Sequence, residues 1–387
     1  MSPPMRRRPM ARRCPVTIRN LVIGTAVAAM MLAAGCGQTY QHEKREEAKQ
    51  RWSASRATMA VKMAEGCYKR GELTQARQHL DEVLKTATSY APAYVLAARL
   101  AAEKGELDKA HDYADSARTA DPKSAEAHYV FGCTEQTLGH NAAALDSFAE
   151  AARLAPNEPR YEMARSEMLV DGDRAAEAAV ALASGVERMP GRAEIHVALG
   201  DVYLLLRRPQ EALGCYRIAQ RLDPDQAGVR DRLAQALYSS GEFSEAEALL
   251  TEILRTEPEF ANGWAIRMRA DCLLAIGRAG GARELYDRLA RADINAAAPR
   301  IAMARCDIME SQFPSARRHL EEALRLAPRD TQANALMGYV LVATGHAGEA
   351  TAHLRLAAQD PTCEGRRTVE RLLAMAQNKA APATEVH

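Results

Sequence analysis

Ten histidines and eight cysteines in 387 residues are the side chains from which a metal centre or a nucleophile could be built. The histidines are scattered. His346 and His353 stand seven residues apart on opposite sides of an expected turn, with no neighbouring cysteine or aspartate set to complete a ligand pattern. The stretch "GRAGGAR" at 277–283 is glycine-rich like a phosphate-cradling loop. It lacks the Lys-Ser/Thr pair that such chemistry needs, and reads as a turn. Neither HExxH nor GxSxG occurs. Acid pairs such as Glu321–Glu322 read as solvated helix faces. These residues give no acid, base or nucleophile constellation, so the expectation is a protein that is not an enzyme and holds neither cofactor nor metal.

The elements that carry these residues are spaced with unusual regularity. Pro122, Pro156, Pro190, Pro224 and Pro258 lie 34 residues apart, four times in succession. Each follows an apparently helical run, as in "RLDPDQ" at 221–226 and "RLAPNE" at 153–158. Proline cannot continue a helix and pushes its predecessor out of helical geometry, so each marks a stop before the next unit. Aromatic residues make up only 5% of the chain, and Ala, Leu, Arg and Glu dominate, which favours helix throughout. Gly71, Gly105, Gly139, Gly241, Gly277 and Gly345 recur at one place in this period, where a left-handed residue would end the first helix of a pair.

With the proline at position 32, His196, Leu199, Gly200, Tyr203, Ala212, Tyr216, Ala219 and Pro224 fall at positions 4, 7, 8, 11, 20, 24, 27 and 32. Phe131, Gly132, Ala144, Phe148, Ala151 and Pro156 repeat the pattern at 7, 8, 20, 24, 27 and 32. This resembles the tetratricopeptide repeat in both period and residue type. The resemblance implies an all-α, right-handed α-solenoid of about nine helix hairpins over 57–361, closed by a capping helix at 362–378 and followed by a disordered tail at 379–387. Arg165 and Ser166 stand where Leu-Gly is usual, and the register of the seventh unit, near Trp264, is ambiguous.

The amino terminus reads as an address. Six arginines and no acid precede residue 36, and "LVIGTAVAAMMLAA" at 21–34 is an apolar run of signal-peptide length. It ends in "LAAGC", which resembles the lipobox of bacterial lipoproteins and implies a signal peptide at 1–35 with acylation of Cys36. Residues 36–56 would be a polar tether. The implied location is exported and membrane-anchored, on the periplasmic face of the outer membrane. Net charge is +1 overall, but the body beyond residue 35 has 45 basic against 50 acidic residues. That balance argues against nucleic acid as a partner.

Beyond Cys36 come Cys67, Cys133, Cys215, Cys272, Cys306 and Cys363. Cys272 and Cys306 are 34 apart and so equivalent in consecutive units. Stacked helices place such pairs about 9–10 Å apart, beyond a disulfide's reach. Both are expected to be packing residues.

In the tetratricopeptide family the concave groove is lined by first-helix positions 2, 5, 9, 12 and 13. The resemblance implies a groove made of Tyr68, Val95, Arg99, Tyr129, Cys133, Met163, Val197, Asp201, Leu204, Gln235, Tyr238, Ile301, Arg305, Ile308, Tyr339 and Val342. Some of these could instead pack against the neighbouring unit. The mixture suits protein or peptide partners held by side-chain pockets. The implied function is a scaffold, lipid-anchored through Cys36, for protein–protein interaction in the bacterial envelope, serving assembly of a pilus or secretion apparatus. The alternative is an adaptor that recruits peptidoglycan enzymes.

Overall fold

Helix α1 is described over residues 54–69 of the computed structural model, which describes 54–86, 90–226, 228–256, 263–361 and 365–380, with Lys44 and Trp52. The expected signal peptide, the acylation site Cys36, most of the tether, Cys363 and residues 381–387 lie outside the described residues. After α1 come α2 (Leu73–Thr86), α3 (Ala91–Glu103), α4 (Leu107–Ala120), α5 (Ala125–Thr137) and α6 (Asn141–Leu154). They are followed by α7 (Pro159–Asp171), α8 (Ala175–Arg188), α9 (Ala193–Leu205), α10 (Pro209–Leu222), α11 (Val229–Ser239) and α12 (Phe243–Thr256). The last are α13 (Gly263–Ala275), α14 (Ala279–Ala292), α15 (Ala298–Met309), α16 (Phe313–Leu326), α17 (Thr331–Ala343), α18 (Ala347–Gln359) and α19 (Arg366–Ala380). Among the described residues there is no strand, and the protein is all-α. None of the described helices is long and apolar enough to cross a membrane.

The chain divides at Ala155/Pro156 into two compact units. Unit one holds three hairpins, α1–α2, α3–α4 and α5–α6. Unit two holds six, from α7–α8 to α17–α18, and then α19. Inside each unit a hairpin packs against its chain neighbour, so contacts are local.

Every hairpin turn is built the same way. Gly71, Gly105, Gly139, Gly241, Gly277 and Gly345 all adopt positive φ, between 73° and 86°. Asp173, Arg207 and Ser311, at 58°, 59° and 58°, take the same place in the three hairpins without glycine. The following amide closes the turn onto the last helical carbonyls, as in Arg208 N to Tyr203 O at 2.8 Å and Arg278 N to Leu273 O at 2.8 Å. "GRAGGAR" is therefore a turn followed by the start of α14, as its composition suggests.

Close approach within a hairpin depends on a small residue in the first helix facing a large one in the second. Phe148 and Tyr216 are buried against Gly132 and Gly200, and Leu354 against Gly338. Where the first helix has alanine, as at Ala234 and Ala304, the partner is Leu250 or Leu320, both with no exposure. The hairpin-to-hairpin joints are pinned by a second recurring bond. His196 Nε2 donates to the Pro190 carbonyl at 3.0 Å, His128 Nε2 to that of Pro122 at 3.0 Å, and Asn334 Nδ2 to that of Pro328 at 3.1 Å. These histidines serve the turns that the prolines make.

The register of the seventh hairpin is settled by α13 starting at Gly263, 14 residues before Gly277. At the chain's far end α19 lays Val369 and Ala376 into the core beside α17 and α18. It spans Arg366–Ala380, where the sequence suggests 362–378.

Candidate functional site

The first helices of the hairpins carry the residues expected to line a groove, and the structure sorts them by depth. In unit one, Val95 is buried with Phe131 and Val130, while Tyr129 is half-buried beside them. The ring of Tyr129 sits 5.6 Å from that of Phe148. The Tyr68 hydroxyl donates to Glu103, and partial burial together with that carboxylate pushes its phenol upward. Arg99 pairs with Glu126 on the next first helix, and Cys133 is half-buried.

In unit two, Val197, Ile301 and Val342 are buried and form the floor rather than the lining. Leu204, Tyr238 and Ile308 are half-buried against the same cores, with Tyr238 edge-on to Phe243 at 5.6 Å. Gln235 and Arg305 are exposed, and Tyr339 is 39% exposed, 6.4 Å from Phe313. Asp201 is fully engaged. It accepts from the Tyr216 hydroxyl at 2.6 Å and from Arg232 Nε at 2.8 Å, tying α9 to α10 and α11. Burial, followed by the Asp201 bond and charge, holds the Tyr216 phenol far above its usual range.

Two clefts open on this face. One lies between α7 and α9, has a volume of about 370 Å³, and is lined by Met163, Ser166, Glu167, Val170, Asp201 and Leu205, with Ala198 and Val202 beneath. Leu205 is 56% exposed there. The other, of about 160 Å³, lies between α13 and α15. Arg267, Asp271 and Arg305 give it a mixed charge. Asp271 accepts from the Tyr286 hydroxyl at 2.5 Å, and Asp330 at its edge caps α17 by accepting from Ala333 N at 2.8 Å. Both carboxylates are thus occupied. The Arg305 guanidinium makes no hydrogen bond or ion pair among the described residues, and Arg267 stands 4.0 Å from Asp271.

Sequence reasoning missed Arg267 and Asp271 because the unit's register was open; Gly277 held the signal that fixes it. It also passed over Val170 and Leu205, which occupy positions 12 and 13 of their units, and Ser166, which at position 8 lies outside the groove set. Three acids on which the sequence is silent are buried with partners. Glu135 bonds His111 at 2.7 Å and His140 at 3.1 Å, and Glu162 pairs with Arg188 at 3.0 Å and Arg165 at 3.2 Å. Asp307, with no exposure, holds Arg283 at 3.0 Å and His319 at 2.8 Å. Among the described residues no group of three ligating side chains is placed to hold a metal ion.

A family model described as tetratricopeptide repeat matches residues 68–131, 208–267 and 237–306, and a second with the same description matches 181–227. No curated protein matches the sequence. Among solved structures, PilF of Pseudomonas aeruginosa is 20% identical over 53% of this chain and 93% of its own, with a TM-score of 0.44. PilW, described as a type IV pilus biogenesis factor, is 16% identical over 52% of this chain and 94% of its own, with a TM-score of 0.47. The TPR domain of P58(IPK) is 15% identical over 84% and 98%, with a TM-score of 0.31. Likenesses this distant carry no argument about partners or activity.

Proposed function

Because the chain belongs to the tetratricopeptide-repeat family, whose helical hairpins are scaffolds for protein–protein contact, we propose that it is a lipid-anchored scaffold that assembles proteins at a bacterial envelope. The observation that carries partner binding is the cleft between α7 and α9. Met163, Val170 and Leu205 leave an apolar lining open to solvent in about 370 Å³. That volume lies at the low end of ordinary ligand sites, roughly 300–1,000 Å³. It suits the large apolar side chain of a protein segment, with the exposed Glu167 at the rim to bond its backbone. The exposed Arg305 gives the α13–α15 cleft a cation for an acidic group on the same kind of partner.

The anchor is read from "LAAGC", with Cys36 as the acylated residue and the periplasmic face of the outer membrane as the setting. Export signal and partner-binding array on one chain favour assembly work, such as building a pilus or secretion apparatus. A photo-crosslinker placed at Leu205 in cells tests the reading. Capture of pilin- or secretin-type subunits is expected. Capture of peptidoglycan hydrolases or synthases would replace it with an adaptor role.

A further inference from the structure

We propose that the first edge of unit one, uncovered among the described residues, rests on the lipid bilayer, with Trp52, Met59 and Met63 entering the headgroup layer. The proposal builds on the acylation of Cys36 and extends it from an anchor to a second, protein-made contact.

In unit one, α3 and α5 bury their third and seventh residues against the hairpin before them. In α3 these are Ala93 and Ala97, and in α5 Ala127 and Phe131, none more than 6% exposed. In α1 the same places hold Met59 and Met63, which are 68% and 50% exposed. Trp52, seven residues before Met59, falls on the same helical face and is 64% exposed. The opposite face of α1 is already spent, since Ala57, Val61, Ala64 and Cys67 fill the core of the first hairpin. At the other terminus the corresponding edge is covered by α19. Solenoid ends need such a cover.

The sequence between Cys36 and Trp52 does not supply one. "GQTYQHEKREEAKQR" at 37–51 offers only Tyr40 and Ala48 as apolar residues. The nearest apolar phase along the chain is the bilayer that would hold Cys36. A peptide of this length reaches at most roughly 55 Å when extended, at ~3.3–3.6 Å per residue. The edge is therefore held at millimolar effective concentration near the membrane, where a small patch suffices. Its chemistry fits that layer. Indole prefers the interface between headgroups and chains, and methionine adapts to irregular surroundings. Arg56 stacks over the Trp52 ring at 4.8 Å while pairing with Glu82 at 2.7 Å, and Lys62 is exposed beside the stripe.

The chain has two tryptophans, so Trp264→Phe leaves Trp52 as the sole reporter and Trp52→Phe leaves Trp264. The acylated protein is reconstituted in phospholipid vesicles whose chains are brominated near the headgroups. Bromine should quench Trp52 several-fold more strongly than Trp264. Met59→Asp with Met63→Asp should remove the difference while the protein still sediments with the vesicles and keeps its helical circular dichroism. Sedimenting protein whose Trp52 is quenched no more than Trp264 overturns the proposal. So does Trp52 shielding that follows protein density rather than bromine, which would mean a second copy covers the edge. Protein that fails to sediment and has no lipid mass on Cys36 removes the anchor reading as well.

Discussion

A Cβ atom added to Gly200 would stand 2.6 Å from Cε1 of Tyr216 and 2.8 Å from its Cζ. The ring cannot swing away, because Tyr216 has no exposure and its hydroxyl is held by Asp201 at 2.6 Å. Gly200→Ala should therefore lower stability by roughly 1–3 kcal/mol through overpacking. Gly214 provides the control. It lies within α10 with nothing within 4 Å of an added Cβ, so Gly214→Ala should raise stability by about 0.5–1 kcal/mol. Thermal denaturation of the two variants checks both signs.

Arg207 and Ser311 hold positive φ without being glycine. A left-handed L-residue costs roughly 1–2 kcal/mol, partly offset by the greater freedom of glycine in the unfolded chain. Arg207→Gly and Ser311→Gly should each stabilise by about 0.5–1 kcal/mol. Asp173→Gly should gain less, since aspartate tolerates this region. Denaturant titration of the three variants would show the ordering.

The Asp307 carboxylate is buried between Arg283 and His319. Asp307→Ala takes from His319 its carboxylate partner and from Arg283 its buried one, and should cost roughly 2–4 kcal/mol. Arg283 is only partly covered and also reaches Glu310 at 3.3 Å, so its own truncation should cost less. Equilibrium unfolding of the two variants makes the comparison.

Burial raises the Cys215 and Cys272 thiols to about 11 and the Cys306 thiol to about 12. The neutral thiol is what the fold accepts. Their contribution to stability is full below the unfolded thiol value, about 8.5, and is lost as pH rises from there through the raised values. Stability should accordingly fall on going from neutral pH to pH of about 10. Native protein should react slowly with an aromatic disulfide reagent, and unfolded protein quickly. Cys272 and Cys306 are both free thiols, in keeping with the spacing argument that sets them apart.

Much of this fold was legible because one period fixes many residues at once. A proline ladder and a glycine ladder at the same spacing specify where helices stop, and the Gly200–Tyr216 pairing specifies how closely they approach. The site was less legible. Position within the repeat gives direction but not depth, so Val197, Ile301 and Val342 were grouped with residues that reach solvent. Asp201 was legible as a groove position, yet its bonds to Tyr216 and Arg232 depend on three helices and have no local signal. The same holds for Glu135, whose partners His111 and His140 lie on other segments. Met59 and Met63 carry ordinary core patterning; only the absence of a preceding hairpin among the described residues makes them surface.

The most direct test of the scaffold reading is crosslinking from Leu205 in cells, set against Val180 on α8, which is 72% exposed outside the cleft. The account predicts that Leu205 captures an envelope-apparatus subunit, that Met163→Asp abolishes capture with helical content unchanged, and that Val180 captures nothing specific. Capture from Val180 alone, or capture from Leu205 that is indifferent to Met163→Asp, would contradict it.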